Sequence, residues 1–205
     1  MAINITRLTL GAYQENAFIV SAEGRGDCVA IDPGDGLAAL CKAVGGKKLA
    51  AILITHGHFD HTLAAPALAA QYGAPVYIHP EDREMLTDAA LNAYDPWAAQ
   101  LPSPEGVEPV DFGESLSVAG LTFQILHTPG HSRGCVCLYL PDEGALFSGD
   151  TLFAAGYGRL DLYGGNASDM RASLLKLFAL PGEVRVYPGH GDETTIARER
   201  ARYRL

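Results

Sequence analysis

The segment that decides the fold spans residues 49–61 and reads LAAILITHGHFDH. Its first six residues form a continuous apolar run, which predicts a β-strand buried on both faces. The last six residues contain three histidines and one aspartate. Packing alone does not explain this cluster, because its desolvation and mutual repulsion would be costly. We therefore predict that the segment presents metal ligands at the end of a buried strand.

The four polar side chains of this cluster form two pairs. His56 and His58 flank Gly57, which lets the backbone approach closely or take an unusual conformation, and this pair can bind one ion. Asp60 and His61 project elsewhere and can bind a second ion. Imidazole and carboxylate ligands together suit zinc, iron or manganese.

Three further candidates follow apolar runs later in the chain. His131 and His190 each end a Pro-Gly-His sequence, in which the Pro-Gly turn aims the ring. Asp150 ends the sequence Phe-Ser-Gly-Asp, and alone it would be interpreted as a helix cap or turn residue. Its position at a strand end, like those of the histidines, makes it a ligand candidate, because loops at strand ends carry functional groups. His79 and His127 are predicted to have structural roles, with an outer partner of a ligand as the alternative for His127.

The remaining pattern predicts an α/β fold with strands in both halves. Strands are predicted at residues 3–10, 17–21, 28–31, 49–54, 75–78, 115–118, 121–126, 136–140, 145–147 and 184–187. Helices are predicted at residues 37–44, 62–72 and 166–180, and in part at 80–86 and 89–100, with a loop at 102–109. Turn signals at 119–120 and 141–144 predict hairpins, whereas a doubly wound parallel sheet needs strict alternation of strands and helices. The pattern therefore favours two facing, mixed sheets with helices outside.

Composition indicates an ordinary globular protein. The chain has 205 residues, of which 48% are hydrophobic and 19% are charged, and we expect one domain over residues 1–205. The net charge of −9 argues against a nucleic-acid partner. The arginines at 198, 200, 202 and 204 are interpreted as a solvated terminal helix, and Cys135 and Cys137 as buried residues of one strand face. Neither a signal peptide nor a membrane helix is predicted, so we expect a cytoplasmic protein without membrane contact.

The motif Thr-His-x-His-x-Asp-His, followed in order by Pro-Gly-His, Gly-Asp and Pro-Gly-His-Gly, resembles the metallo-β-lactamase superfamily. Within it, the chain is most similar to the small glyoxalase II-like (hydroxyacylglutathione hydrolase-like) group, over about residues 3–196. The resemblance implies a four-layer αββα sandwich with a metal site at the sheet ends. It also implies two groups of ligands, His56, His58 and His131 for the first ion and Asp60, His61 and His190 for the second, with Asp150 bridging both.

The resemblance further implies a hydrolase in which two divalent ions activate water. Zinc is the expected metal, with iron and manganese as alternatives. The expected substrate is a small-molecule thioester of the S-lactoylglutathione type, with Asp60 also orienting the nucleophile and Arg159 and Tyr157 contacting the substrate. The C-terminal helical substrate domain of full-length glyoxalase II is not expected here. The alternatives are a persulfide dioxygenase-like enzyme with one iron, a lactonase or a phosphodiesterase, and the oligomeric state stays open.

Overall fold

The strands of the protein form two sheets in this computed structural model, which describes residues 2–104 and 107–203. Within those ranges each sheet has six strands. The first sheet contains, in spatial order, β1 (Ile3–Leu10), β2 (Glu15–Ala22), β3 (Asp27–Ile31), β4 (Lys48–Leu53), β5 (Val76–Ile78) and β6 (Val110–Asp111). The second contains, also in spatial order, β7 (Ser115–Val118), β8 (Leu121–His127), β9 (Val136–Leu140), β10 (Ala145–Gly149), β11 (Arg185–Pro188) and β12 (Thr194–Thr195).

Both sheets are mixed, as the sequence predicts. In the first sheet β1 to β3 pair antiparallel, and β3 to β6 pair parallel. In the second sheet β7 to β10 pair antiparallel, β10 and β11 pair parallel, and β12 is antiparallel. The predicted hairpin between β7 and β8 turns at Ala119 and Gly120, whose φ angles of 51° and 73° are both positive. Such a pair is typical of the turn that matches the twist of two antiparallel strands.

Helices cover the outer faces of the sheets. They are α1 (Leu37–Val44), α2 (Phe59–Thr62), α3 (Ala65–Tyr72), α4 (Ala167–Phe178) and α5 (Ile196–Arg200), with a 3₁₀ helix at Pro80–Leu86. Asn166 caps α4, because its side chain accepts hydrogen bonds from the backbone N–H groups of Ser168 and Asp169 at 2.9 and 3.2 Å. The helix predicted at 62–72 is divided, because the N–H of Ala64 donates to the carbonyls of Pro33 and Gly34 in another loop.

Residues 89–100 correct another prediction, since they form turns rather than helix. The side chains of Asp88, Asn92 and Asp95 each accept a hydrogen bond from the backbone N–H two residues later, at 2.9–3.0 Å. Short polar side chains that bond to the local backbone in this way compete with helix formation. Of the predicted loop at 102–109, residues 105 and 106 lie outside the described residues.

Three layers of buried apolar residues separate the four layers of structure. Phe18, Phe123 and Phe147 belong to the layer between the sheets, and the rings of Phe18 and Phe147 are 5.1 Å apart. Leu68 belongs to the layer under α1 and α3, and Leu174 to the layer under α4 and α5. The predicted αββα sandwich is therefore confirmed. No described helix has the length and hydropathy needed to cross a membrane.

The cysteines and the arginines near the end of the chain were predicted to be buried and exposed, respectively. Cys135 and Cys137 are at most 1% exposed, and the four cysteines are free thiols. Arg198 and Arg200 are exposed on α5, as predicted, and Arg202 is exposed just after it. Arg204 lies outside the described residues.

The fold brings four ligand-bearing loops to one edge of the sandwich. These loops follow β4, β8, β10 and β11, and the last two strands are parallel neighbours, so their carboxyl ends coincide. The two sheets are joined at this edge, since the N–H of Val136 donates to the carbonyl of Thr55 at 2.9 Å. The N–H of Asn16 likewise donates to the carbonyl of Gly189 at 2.7 Å.

Candidate metal centre

The seven predicted ligands converge at this edge in two groups. The first trio consists of His56, His58 and His131, and the second trio consists of Asp60, His61 and His190; within each, one potential ligand atom per residue lies within 4.8 Å of the others. Asp150 lies between the trios. Its Oδ2 is 3.4 Å from His131 Nε2, and its Oδ1 is 3.4 Å from His61 Nε2. One carboxylate therefore faces both groups.

Hydrogen bonds fix the tautomers of two rings of the first trio, His131 and His56. His131 Nδ1 lies 2.7 Å from the carbonyl oxygen of Arg159 and must donate to it, which leaves the lone pair on Nε2. The Thr55 hydroxyl donates to Asp32 at 2.6 Å, so it accepts from His56 Nδ1 at 3.1 Å. The third ring, that of His58, places its Nδ1 2.8 Å from His131 Nε2. The nitrogens left for an ion are thus His56 Nε2, His58 Nδ1 and His131 Nε2.

The second trio has the same kind of outer support. His61 Nδ1 donates to Asp32 Oδ2 at 3.1 Å, and His190 Nδ1 donates to the carbonyl of Tyr13 at 3.1 Å. The Nε2 atoms of these two rings are 3.4 Å apart. The Asp60 carboxylate lies 3.4 Å from His190 Nε2. Ligand histidines characteristically give their second nitrogen to such a carbonyl or carboxylate.

Two buried ligand atoms at the centre, His56 Nε2 and Asp150 Oδ1, have no hydrogen-bond partner among the described residues. Buried polar groups in native proteins are almost always paired. Imidazole nitrogens and carboxylate oxygens left in this state are the donor set that a divalent transition metal takes. The residues present therefore fit two such ions.

The charges of the two trios differ. Burial, reinforced by the neighbouring histidines, lowers the pKa of His56 well below its ordinary value and that of His58 to about 3. Burial also opposes protonation of His61, but the carboxylates of Asp150, Asp60 and Asp32 outweigh it and raise the pKa of His61 well above its ordinary value. His56 and His58 are thus neutral, whereas the second trio contains an imidazolium among carboxylates when no ion is bound.

Asp60 is the most exposed carboxylate of the centre. Its side chain is 17% exposed, compared with 9% for Asp150. Burial tends to raise the pKa of Asp60, but the charge of His61 and the hydrogen bond and charge of His190 hold it below the ordinary value. Asp60 therefore stays ionised and can accept hydrogen bonds, but it does not hold a proton near neutral pH.

A cavity of about 380 Å³ opens onto the centre. It is lined by Tyr13, His58, Phe59, Asp60, Ala93, His131, Asp150, Phe153, Gly158, Arg159, Leu162 and His190. Arg159 is the cationic side chain among these, and it forms a two-pronged ion pair with Asp161 at 2.7 Å. Tyr157 is not among the described residues that line the cavity; its ring lies 6.4 Å from that of Tyr203.

Four residues that support the ligands, namely Asp32, Thr55, Asn16 and Asp82, were not predicted from the sequence to have this role. Asp32 accepts hydrogen bonds from the N–H and hydroxyl of Thr55 and from His61, and no local sequence pattern marks it for this role. Asn16 holds the loop of His190, and Asp82 contacts both loops of the first trio. All of these contacts join residues that lie far apart in the chain. Thr55 also contacts its neighbour His56.

The two remaining histidines lie outside the trios. The rings of His79 and His127 stack 4.1 Å apart at an interplanar angle of 12°. His127 Nε2 lies 2.9 Å from the carbonyl oxygen of Arg133, and His79 Nδ1 accepts a hydrogen bond from the N–H of Glu81. These contacts are compatible with the structural roles predicted for both residues; with Glu81 they also form a group whose potential ligand atoms lie within 4.8 Å of one another.

The chain is similar in sequence and in fold to several known proteins. The profile of the Metallo-beta-lactamase superfamily matches residues 10–190, a range that includes both trios. A hydroxyacylglutathione hydrolase from Ectopseudomonas mendocina is 38% identical over 80% of this chain and 56% of its own length. Among solved structures, the BLEG-1 B3 metallo-beta-lactamase has a TM-score of 0.86 at 35% identity, covering 97% of each chain. TTHA1623, solved in a di-iron-bound form, has a TM-score of 0.80 at 42% identity, covering 95% of this chain and 96% of its own.

Proposed function

The chain belongs to the metallo-β-lactamase superfamily, and from this membership we propose that it is a hydrolase with two divalent ions that cleaves acyl thioesters of the hydroxyacylglutathione type. The observation that carries the proposal is the position of Asp150, with one oxygen toward His131 of the first trio and the other toward His61 of the second. A carboxylate placed in this way can bridge two ions. The first trio and the second trio each provide the other ligands of one ion.

The residues of the centre have separate roles in this proposal. Ions bound at the two trios would lower the pKa of a water molecule toward neutrality and polarise the substrate carbonyl. Asp60 is ionised and lines the cavity, so it accepts a hydrogen bond from the nucleophile and orients it. Arg159 lines the cavity and holds His131 through its backbone carbonyl, and its guanidinium, which pairs with Asp161, would contact an anionic substrate group.

The choice of a thioester rests on the cavity and on the relatives. Tyr13, Phe59, Phe153 and Leu162 give the cavity an apolar wall, against which the carbon chain of an acyl thiol can pack. The similarity to a hydroxyacylglutathione hydrolase supports the same substrate class, although the match covers about half of that protein. Zinc is the metal that we propose, and the di-iron form of TTHA1623 makes iron the main alternative.

Metal analysis and a substrate panel test the proposal together. We expect about two divalent ions per chain, and we expect a small acyl thioester to be hydrolysed with a higher kcat/KM than a lactone, a phosphodiester or a β-lactam. A chelator should abolish this activity and added zinc should restore it, because the ions generate the nucleophile. Undiminished hydrolysis by metal-free protein would rule the proposal out. One iron per chain, together with oxygen consumption on a persulfide, would favour the dioxygenase alternative instead.

The guanidinium of Arg159 provides a more specific prediction. Arg159→Ala should raise KM for an anionic thioester about two- to fivefold, as expected for an exposed ion pair, and leave kcat unchanged. The backbone carbonyl that supports His131 is retained in this variant, so its metal content should match that of the wild type. The measurement is steady-state kinetics with an anionic and an uncharged thioester.

Arg25→Ala is the matched control for Arg159. Arg25 forms the same two-pronged ion pair with Asp27, at 2.7 and 2.8 Å, but it is not among the described residues that line the cavity. The Arg25→Ala variant should leave kcat and KM unchanged. An equal KM for the anionic thioester in Arg159→Ala and in wild type would contradict the predicted contact.

A further inference from the structure

Asp82 is a buried carboxylate with three hydrogen-bond donors. It lies in the 3₁₀ helix Pro80–Leu86 and is 1% exposed. Its Oδ2 accepts from the N–H of Gly57 at 3.0 Å and from the hydroxyl of Ser132 at 2.5 Å. Its Oδ1 accepts from the N–H of Gly134 at 2.7 Å. Three donors from the loops of the first trio thus converge on one side chain.

The donors stand beside the ligands of the first trio. Gly57 separates His56 from His58, and Ser132 directly follows His131. The loop of Gly57 leaves the first sheet after β4, whereas Ser132 lies between β8 and β9 of the second sheet. One carboxylate therefore joins two loops that come from different sheets, at the edge where the first trio assembles.

The contacts between Asp82 and these loops are close. A β-carbon on Gly134 would lie 2.7 Å from Asp82 Cγ, and one on Gly57 would lie 2.5 Å from Met85 Cβ and 3.1 Å from the Asp82 carbonyl oxygen. Real side chains rarely approach so closely, and hence Gly134 lies directly against the Asp82 side chain and Gly57 against the 3₁₀ helix that carries it. Both loops are therefore packed against this helix.

The ring of His58 depends on this support. Its Nδ1 faces His131 Nε2 at 2.8 Å, and its Nε2 is buried without a hydrogen-bond partner among the described residues. Among the described residues, no hydrogen bond to Nε2 therefore holds the ring in its orientation. Its position follows the backbone at Gly57, which Asp82 holds.

The second trio is supported by other residues. His61 donates to Asp32. The loop of the last histidine is held by Asn16, whose side-chain amide donates to the carbonyls of Pro188 and Gly191 at 3.1 and 2.9 Å. Loss of the carboxylate at position 82 would leave these contacts in place.

We propose that Asp82 is a positioning residue for the first ion: it sets the spacing of His58 and His131 and thereby the affinity of the first trio for a divalent metal. The inference rests on the proposed function, since it requires that the first trio binds an ion. Asp82 is not itself a ligand, and the proposal predicts that it affects the binding of one of the two ions.

Cobalt titration of metal-free protein tests this inference. Asp82→Asn keeps the shape of the side chain but turns one acceptor into a donor, which opposes the N–H and O–H groups that now bond to it. We expect the affinity for one Co²⁺ ion to fall about 10- to 100-fold, the usual effect of losing an outer partner of a ligand. The affinity for the other ion should fall by a clearly smaller factor, because the contacts of the second trio with Asp32 and Asn16 are unchanged. The Co²⁺ absorption spectrum should change as well.

Variants of the ligands identify which ion is affected. His56→Ala should remove the binding phase that Asp82→Asn weakens, and His190→Ala should remove the phase that it retains. Asp35→Asn is the matched control, because Asp35 is also buried and accepts from two backbone N–H groups, those of Gly36 and Gln100, at 2.8 Å. It should retain both affinities. Ser132→Ala removes one donor and keeps the carboxylate, so it should weaken the same phase by a smaller factor and decides the matter if Asp82→Asn does not fold.

The outcomes distinguish the two proposals. Wild-type protein that binds no divalent ion would overturn the proposed function, and this inference with it. Two ions bound to wild type with unchanged affinities and an unchanged spectrum in Asp82→Asn would overturn only the role of Asp82. Equal weakening of both phases in Asp82→Asn would also overturn it, because that result indicates a general loss of structure.

Discussion

Asp150→Ala is expected to lower kcat for thioester hydrolysis about 1,000-fold or more and to reduce the bound metal to one ion per chain or fewer. The reason is the position of its carboxylate, 3.4 Å from both His131 and His61 and 9% exposed. Asp150 is the ligand candidate that lies against both trios, so its loss would remove one ligand from each ion and weaken the binding of both. The electrostatic contribution of an ion to such a reaction is several kcal/mol, and each 1.36 kcal/mol corresponds to a factor of ten in rate.

The measurement is elemental analysis of the gel-filtered variant, followed by steady-state kinetics at saturating zinc. Asp142→Ala is the control, because Asp142 is an exposed residue of the turn between β9 and β10. It should retain two ions and the wild-type kcat. Asp150→Ala protein that still holds two ions and hydrolyses the thioester within tenfold of the wild-type rate would show that the carboxylate does not bridge them.

Gly189→Ala is expected to have the second-largest effect, although glycine has no side chain to bind metal. A β-carbon here would collide with the carboxylate of Asp150 and lie 2.6 Å from His61 Cε1. The backbone cannot retreat easily, because the N–H of Gly189 donates to Gly149 at 2.9 Å and its carbonyl accepts from Asn16 at 2.7 Å. Asp150 and His61 must therefore shift. A misplacement of about 1 Å can cost about 100-fold in rate, and overpacking typically costs about 1–3 kcal/mol of stability.

Kinetics, metal analysis and urea unfolding of the metal-free protein measure these effects separately. Gly46→Ala is the control, since a β-carbon at Gly46 would meet no atom within 4 Å. It should change neither activity nor the free energy of unfolding by a measurable amount. A fully active Gly189→Ala enzyme with two ions would mean that the centre tolerates a displaced carboxylate, and would count against the close fit described above.

Local sequence patterns were sufficient for most of the fold. The strand Ile3–Leu10 and the helix Leu37–Val44 have the predicted bounds, because apolar spacing and the flanking turn residues mark both ends. The strands Val110–Asp111 and Thr194–Thr195 were not predicted, since two residues are too few to show alternation. Residues 89–100 were partly predicted as helix because their alanines favour helix formation. Turns form instead, through hydrogen bonds that the side chains of Asp88, Asn92 and Asp95 accept from the backbone.

The sequence by itself determined which side chains are able to bind metal, because three histidines and an aspartate in six residues, and two later Pro-Gly-His turns, are local features of the chain. Only the tertiary structure decided how they are grouped and supported. Asp32 reaches His61, Asp82 reaches Gly57 and Ser132, and the carbonyl of Arg159 reaches His131, across 25 to 50 positions of the chain. Contacts of this kind leave no periodic pattern, because they form where loops from two sheets meet.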